Sequence, residues 1–114
     1  MIDIKQSEQI EIITLMDNYT DVLLPSSQNV KRSVHYREGK VAPPLAAEHG
    51  LSLLVRVLVN GKSHTLLLDA GWSRTGVLHN LKELRISVAE IETVILSHGH
   101  MDHHGSLKGM LNQN

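Results

Sequence analysis

Residues 51–70 read LSLLVRVLVNGKSHTLLLDA, two apolar, β-branched runs on either side of Asn60-Gly61. Asn-Gly is the favoured pair for a two-residue type I′ turn, whose two central residues both need positive φ. The stretch therefore predicts a hairpin with strands at 51–59 and 64–70. A hairpin alone is marginal in water and needs further strands or a covering helix. The rest of the chain offers both. IEIITLM (10–16) is β-branched and loosely alternating, which predicts a strand. Val77, Leu78, Leu81 and Leu84 recur at helical spacing within Thr75–Leu84. Ser87 followed by Glu90 matches a capping box at the start of a short helical turn. TVIL (93–96) predicts a buried strand, and SLKGML (106–111) the start of a helix. Residues 25–50 carry Pro25, Gly39, Pro43, Pro44 and Gly50 and predict a long loop of the functional or disordered kind. This order predicts an α/β or α+β layered domain.

The 114 residues suffice for one domain, and 41% are apolar. Aromatics are only 3% and Phe is absent, so the core must be aliphatic. Eleven basic residues against twelve acidic ones give a net charge near −1, which offers no basic field for nucleic acid. Without cysteine, disulfides, thiolate metal sites and a cysteine nucleophile are excluded. The charged start MIDIKQSEQIEI does not read as a signal peptide, and LSLLVRVLV is too short to span a bilayer. A cytoplasmic protein without membrane association is expected.

Eight histidines are the compositional outlier, and four of them fall within His98–His104, in VILSHGHMDHHG (94–105). Side chains two apart on extended backbone point the same way, so His98 and His100 face one point as the chain leaves the TVIL strand. Gly99 between them lets the backbone turn without a Cβ clash. Asp102 and His103 are adjacent and can share a site only where the chain bends into a helix. Three imidazoles and a carboxylate in six residues suit zinc, iron, manganese or cobalt. A tag would sit at a terminus rather than behind a strand. A solvated His-rich loop is the plainer alternative.

His98-x-His100-x-Asp102-His103 after an apolar strand resembles the H-x-H-x-D-H signature of the metallo-β-lactamase superfamily. LLLDAG (66–71) is similar to that superfamily's earlier strand, and AEHGLSLLVRV with the early Asp17-Asn18 pair resembles a branch of metal-dependent hydrolases associated with pterin biosynthesis. The resemblance implies a four-layer αββα fold, of which residues 1–114 supply the N-terminal part: one β-sheet with flanking helices. It implies up to two divalent metals, zinc first, with iron or manganese as alternatives. His98 and His100 would bind one metal, and Asp102 and His103 the other. Asp102 would also orient the attacking group. A metal-activated hydroxide would attack an ester, phosphoester or related bond of a small-molecule substrate. The family's later ligands (a His, a bridging Asp and a final His) are not found before Asn114. A complementary C-terminal half is therefore expected to be needed for activity. The alternative is a non-catalytic, truncated metal-binding module that self-associates.

A ligating histidine needs an acceptor for its second nitrogen, and Asp69 at the end of a neighbouring strand is the candidate. His49, Asp17 and Asn18 are weaker candidates for substrate contact, since a loop histidine and Asx turn residues have ordinary explanations. His104 falls outside the signature and reads as a bystander. Trp72 is expected to pack under the long loop. Lys31, Arg32, Arg37 and Lys40 read as a solvated, mildly basic stretch.

Overall fold

The computed structural model describes residues 4–113. Four strands form the main sheet: β1 (Gln9–Met16), β4 (Ser52–Val59), β5 (Lys62–Leu68) and β6 (Thr93–Ile95), in the order β1-β4-β5-β6. β2 (Tyr36–Arg37) and β3 (Lys40–Val41) form a separate small hairpin. The expected 25–50 loop is therefore interrupted: Glu38 and Gly39 turn with φ of 54° and 76°. That is the backbone geometry that Asn60 and Gly61 adopt (52° and 71°) between β4 and β5.

β1, β4 and β5 pair antiparallel, and β6 joins β5 in parallel. Parallel pairing needs a crossover. The connection carries α1 (Gly76–Glu83) and a 3₁₀ turn at Val88–Glu90. That turn opens on the expected capping box, in which Glu90 accepts from the Ser87 amide at 3.1 Å and the Ser87 hydroxyl from the Ala89 amide at 3.2 Å. β5 begins two residues earlier than predicted and ends before Asp69, whose φ of 58° breaks the extended run.

One sheet face is the core. Leu54, Leu67 and Val94 line up across three strands, joined by Ile13 and Leu15, and Val77 and Leu81 of α1 pack on them with Ile86 and Met110. Strict alternation would expose one of Leu15 and Met16. Both are 1% exposed because the β1–β4 register slips between Thr14 and Met16, the signature of a β-bulge. Asn80 on α1 is also buried. Its amide donates to the carbonyls of Leu15 (2.6 Å) and Ala46 (2.9 Å) and accepts from the Ala46 amide (2.8 Å). Arg37 is not simply solvated, because its guanidinium donates to the Glu83 carbonyl at 2.8 Å and so satisfies the end of α1.

The opposite face carries the rows Ile12-Val55-Leu66-Thr93 and Thr14-Leu53-Leu68-Ile95. It is largely apolar, and nothing among the described residues buries it: Ile12 is 63% and Ile95 48% exposed. β6 was predicted to be buried. It is an edge strand with one apolar face open, and only Val94 packs on the core.

After β6 the chain bends at Ser97 and again at Gly99, makes a 3₁₀ turn at Met101–His103 and enters α2 (Leu107–Leu111). No helix among the described residues is long and apolar enough to cross a membrane.

Candidate metal centre

The histidine cluster hangs from the end of β6, beside the end of β5. Parallel pairing of Leu68 with Ile95 puts Asp69 next to Ser97. The Asp69 amide donates to the Ile95 carbonyl at 2.9 Å, and its φ of 58° turns the side chain out of the strand alternation. Asp and Asn tolerate this left-handed region better than most residues.

The Asp69 side chain is 1% exposed and accepts three hydrogen bonds. The Ser97 amide donates to Oδ1 at 2.7 Å, and the Ser97 hydroxyl and His103 Nδ1 both reach Oδ2 at 2.7 Å. Burial pushes the Asp69 pKa up, but the Ser97 amide and hydroxyl and His103 outweigh it, so the carboxyl sits below its ordinary 3.8.

An ionised carboxylate only accepts, which fixes the protons around it. His103 must carry hydrogen on Nδ1, leaving a lone pair on Nε2 in the neutral ring. The Ser97 hydroxyl uses its single proton on Asp69. Toward His98 Nδ1, 3.0 Å away, it can then only accept, so His98 likewise presents a lone pair at Nε2. One buried aspartate thus orients two imidazoles, one directly and one through Ser97.

Those two nitrogens face further donor atoms. His98 Nε2 lies 3.2 Å from His100 Nδ1, and His103 Nε2 lies 3.2 Å from Asp102 Oδ2. Bond lengths of about 2.0–2.1 Å in a tetrahedral zinc site put neighbouring ligand atoms roughly 3.3 Å apart. A lone pair set against a carboxylate oxygen is unfavourable unless a cation, proton or metal, lies between them. The donor types and spacings of the two pairs fit a divalent metal, and in its absence the His100 Nδ1–H can donate to His98 Nε2. Among the described residues, no group of three or more His, Asp or Glu is arranged to hold a metal ion. The four residues stand as two pairs, His98 with His100 and Asp102 with His103.

His49 Nε2 lies 3.4 Å from Asp102 Oδ2, and its ring meets Trp72 edge-on, with centroids 5.3 Å apart. His49, Trp72, Gly99, His100, Met101 and Asp102 line a cavity of about 340 Å³. Asp17 and Asn18 are not among its walls. The Asp17 carboxylate accepts from the Asn18 amide (2.7 Å), and its carbonyl from the Glu48 amide (3.1 Å). His104 also lies outside the cavity lining. Trp72 departs from expectation, being half exposed at the cavity instead of packed under the long loop. The chain does bend at Gly99, but the bend does not require glycine: a Cβ there would meet nothing within 4 Å, and its φ is not in the left-handed region. Gly105 is the position where close approach matters, because a Cβ would overlap the Trp72 carbonyl.

Ser97 was missed by sequence reasoning, although it adjoins the cluster; a hydroxyl between a strand and the first histidine was the available signal. Glu48 was missed too. Its carboxylate accepts from the Trp72 and Ser73 amides, 24 and 25 residues away, which local sequence does not reveal.

The family model of the metallo-beta-lactamase superfamily matches residues 47–114, more than half of the chain. The chain belongs to the metallo-β-lactamase superfamily. Over 70 residues it is 39% identical to the 7,8-dihydropterin-6-methyl-4-(beta-D-ribofuranosyl)-aminobenzene-5'-phosphate synthase of Methanocaldococcus jannaschii. That match covers 61% of this chain and 24% of the relative, so the similarity spans about a quarter of that protein's length. Superfamily membership and a similarity to a pterin-biosynthesis enzyme agree with what the H-x-H-x-D-H and LLLDAG stretches implied. The mixed sheet with few helices is compatible with the superfamily's α/β fold.

Proposed function

We propose that this metallo-β-lactamase superfamily chain forms the metal-binding part of a hydrolase acting on an ester, phosphoester or related bond of a small molecule. The observation that carries the reading is the Asp69–Ser97–His98/His103 network, which leaves two imidazole lone pairs aimed at further donors. His98 and His100 would hold one divalent ion, and Asp102 and His103 a second, with zinc first and iron or manganese as alternatives. When bound, the metal supplies Lewis acidity and an activated water. Asp69 keeps His103 in the ligating tautomer, and Ser97 does the same for His98. Asp102 turns one carboxylate oxygen toward both His103 and His49, where it can orient the attacking group. The substrate would enter the cavity that His49 and Trp72 share with His100 and Asp102. The relative's pterin-linked name makes a pterin-derived substrate the first to try.

Two protein donors per metal fall short of the three or four that zinc sites use. The remaining donors would come from a complementary C-terminal half, and a second sheet from that half would cover the apolar face of Ile12, Val55, Leu66 and Ile95 to give the four-layer αββα fold. The open face also favours a second reading, a metal-binding module that associates through it without catalysis.

Elemental analysis of the purified chain, alone and mixed with a complementary half, tests the proposal. Bound zinc, lost in His98→Ala and in Asp102→Ala, is the expected result. Metal content unchanged by both substitutions would overturn it. Stable self-association, with no hydrolysis gained from a complementary half, would favour the second reading.

A further inference from the structure

Glu48 reaches the site from the segment before β4. Its Oε1 accepts from two successive amides, Trp72 at 3.1 Å and Ser73 at 3.0 Å. The carboxylate is nested closely there: a Cβ on Gly71 or Gly76 would come within 2.9 Å of it. A carboxylate on paired amides makes strong, charge-assisted hydrogen bonds. The turn it holds is tied on its other side to the chain just beyond the histidines. The Gly71 carbonyl accepts from Gly105 (2.7 Å), and the Ser73 carbonyl from the Ser106 hydroxyl (2.7 Å). The next two residues also meet the site. His49 approaches the Asp102 carboxylate, and Gly50, at φ 125°, lies so close to the Asp102 carbonyl that a Cβ would overlap it. The backbone of Trp72 is therefore tied on both sides, while its side chain stays half exposed and lines the cavity.

We propose that Glu48 is a positioning residue: by gripping the Trp72–Ser73 turn it sets Trp72 as a wall of the cavity and braces the Asp102–His103 turn against it. The second half of this statement rests on the metal-site reading above; the first does not.

Trp72 is the only tryptophan, so its fluorescence reports on this turn alone. Glu48→Ala is expected to leave the far-ultraviolet circular dichroism unchanged and to raise acrylamide quenching of Trp72 at least twofold. It should also weaken binding of Zn(II) alone, measured by calorimetry, roughly tenfold, as loss of an outer support does at metal sites. Glu48→Gln keeps an oxygen that can accept both amides and should stay within about twofold of wild type in both measurements. A purely global stabilising role would shift the melting temperature of Glu48→Ala while leaving native-state quenching untouched, and that result overturns the proposal. So does a Glu48→Gln variant as disturbed as Glu48→Ala. Should Glu48→Ala not fold, Glu48→Asp, one methylene too short to reach both amides, carries the same comparison with Glu48→Gln. Wild-type protein that binds no Zn(II) would sink the metal reading, while Trp72 quenching would still decide the role of Glu48.

Discussion

Asp69 combines a left-handed backbone with a buried carboxylate that satisfies three donors. Truncation to alanine strands the Ser97 amide and frees the His103 ring, and alanine lacks the tolerance of Asp for positive φ. Asp69→Ala should cost about 3 kcal/mol, read from urea unfolding, whereas Asp69→Asn keeps the shape and φ tolerance and should cost less. Gly105→Ala forces a methyl into the Trp72 carbonyl, and overpacking of that kind costs about 1–3 kcal/mol, visible as a lowered melting temperature. The cluster itself was legible in the sequence because its spacing is local: two histidines either side of one glycine, then a helical turn. Asp69 was reachable as the polar end of an apolar strand. Ser97, Glu48 and the exposure of Trp72 were not, because each depends on which distant backbone lies alongside.

Among the elements, α1 shows where periodicity stops informing. Val77, Leu78, Leu81 and Leu84 predict the helix and its inner face, and that face does pack on the core. Asn80 lies buried between them and joins α1 to Leu15 and Ala46. A polar residue inside an apolar stripe reads as solvent-facing until its partners, 65 and 34 positions earlier, are known. Asn80→Ala should remove about 3 kcal/mol of stability by leaving buried backbone groups unpaired, measurable by chemical denaturation. β6 is a similar case. Its apolar composition predicts burial, yet composition does not say whether both faces are covered. The open face gives its own expectation: Ile12→Thr with Ile95→Thr should reduce association in light scattering and change thermal stability by less than about 1 kcal/mol.

At the scale of the molecule, the sheet and its single covered face were legible from the Asn60-Gly61 hairpin and the alternation around it, while the β2–β3 hairpin was hidden in a stretch dense with loop residues. The bulge between Thr14 and Met16 and the helix-capping role of Arg37 required the assembled structure, since neither leaves a local pattern. The parallel docking of β6 has a consequence in time. The β4–β5 hairpin closes over two residues, but β6 must wait for the whole α1 crossover, and pairing across a long loop is slow. Asp69 and Ser97 lie just beyond the ends of that crossover pair, with β6 at the sheet edge, so the network around them should assemble after the hairpin and open before it. In hydrogen exchange, the amides of Val55 and Leu66, which face each other across the hairpin, should outlast those of Asp69 and Ser97, which would make the candidate centre a seam that reopens more readily than the hairpin beside it.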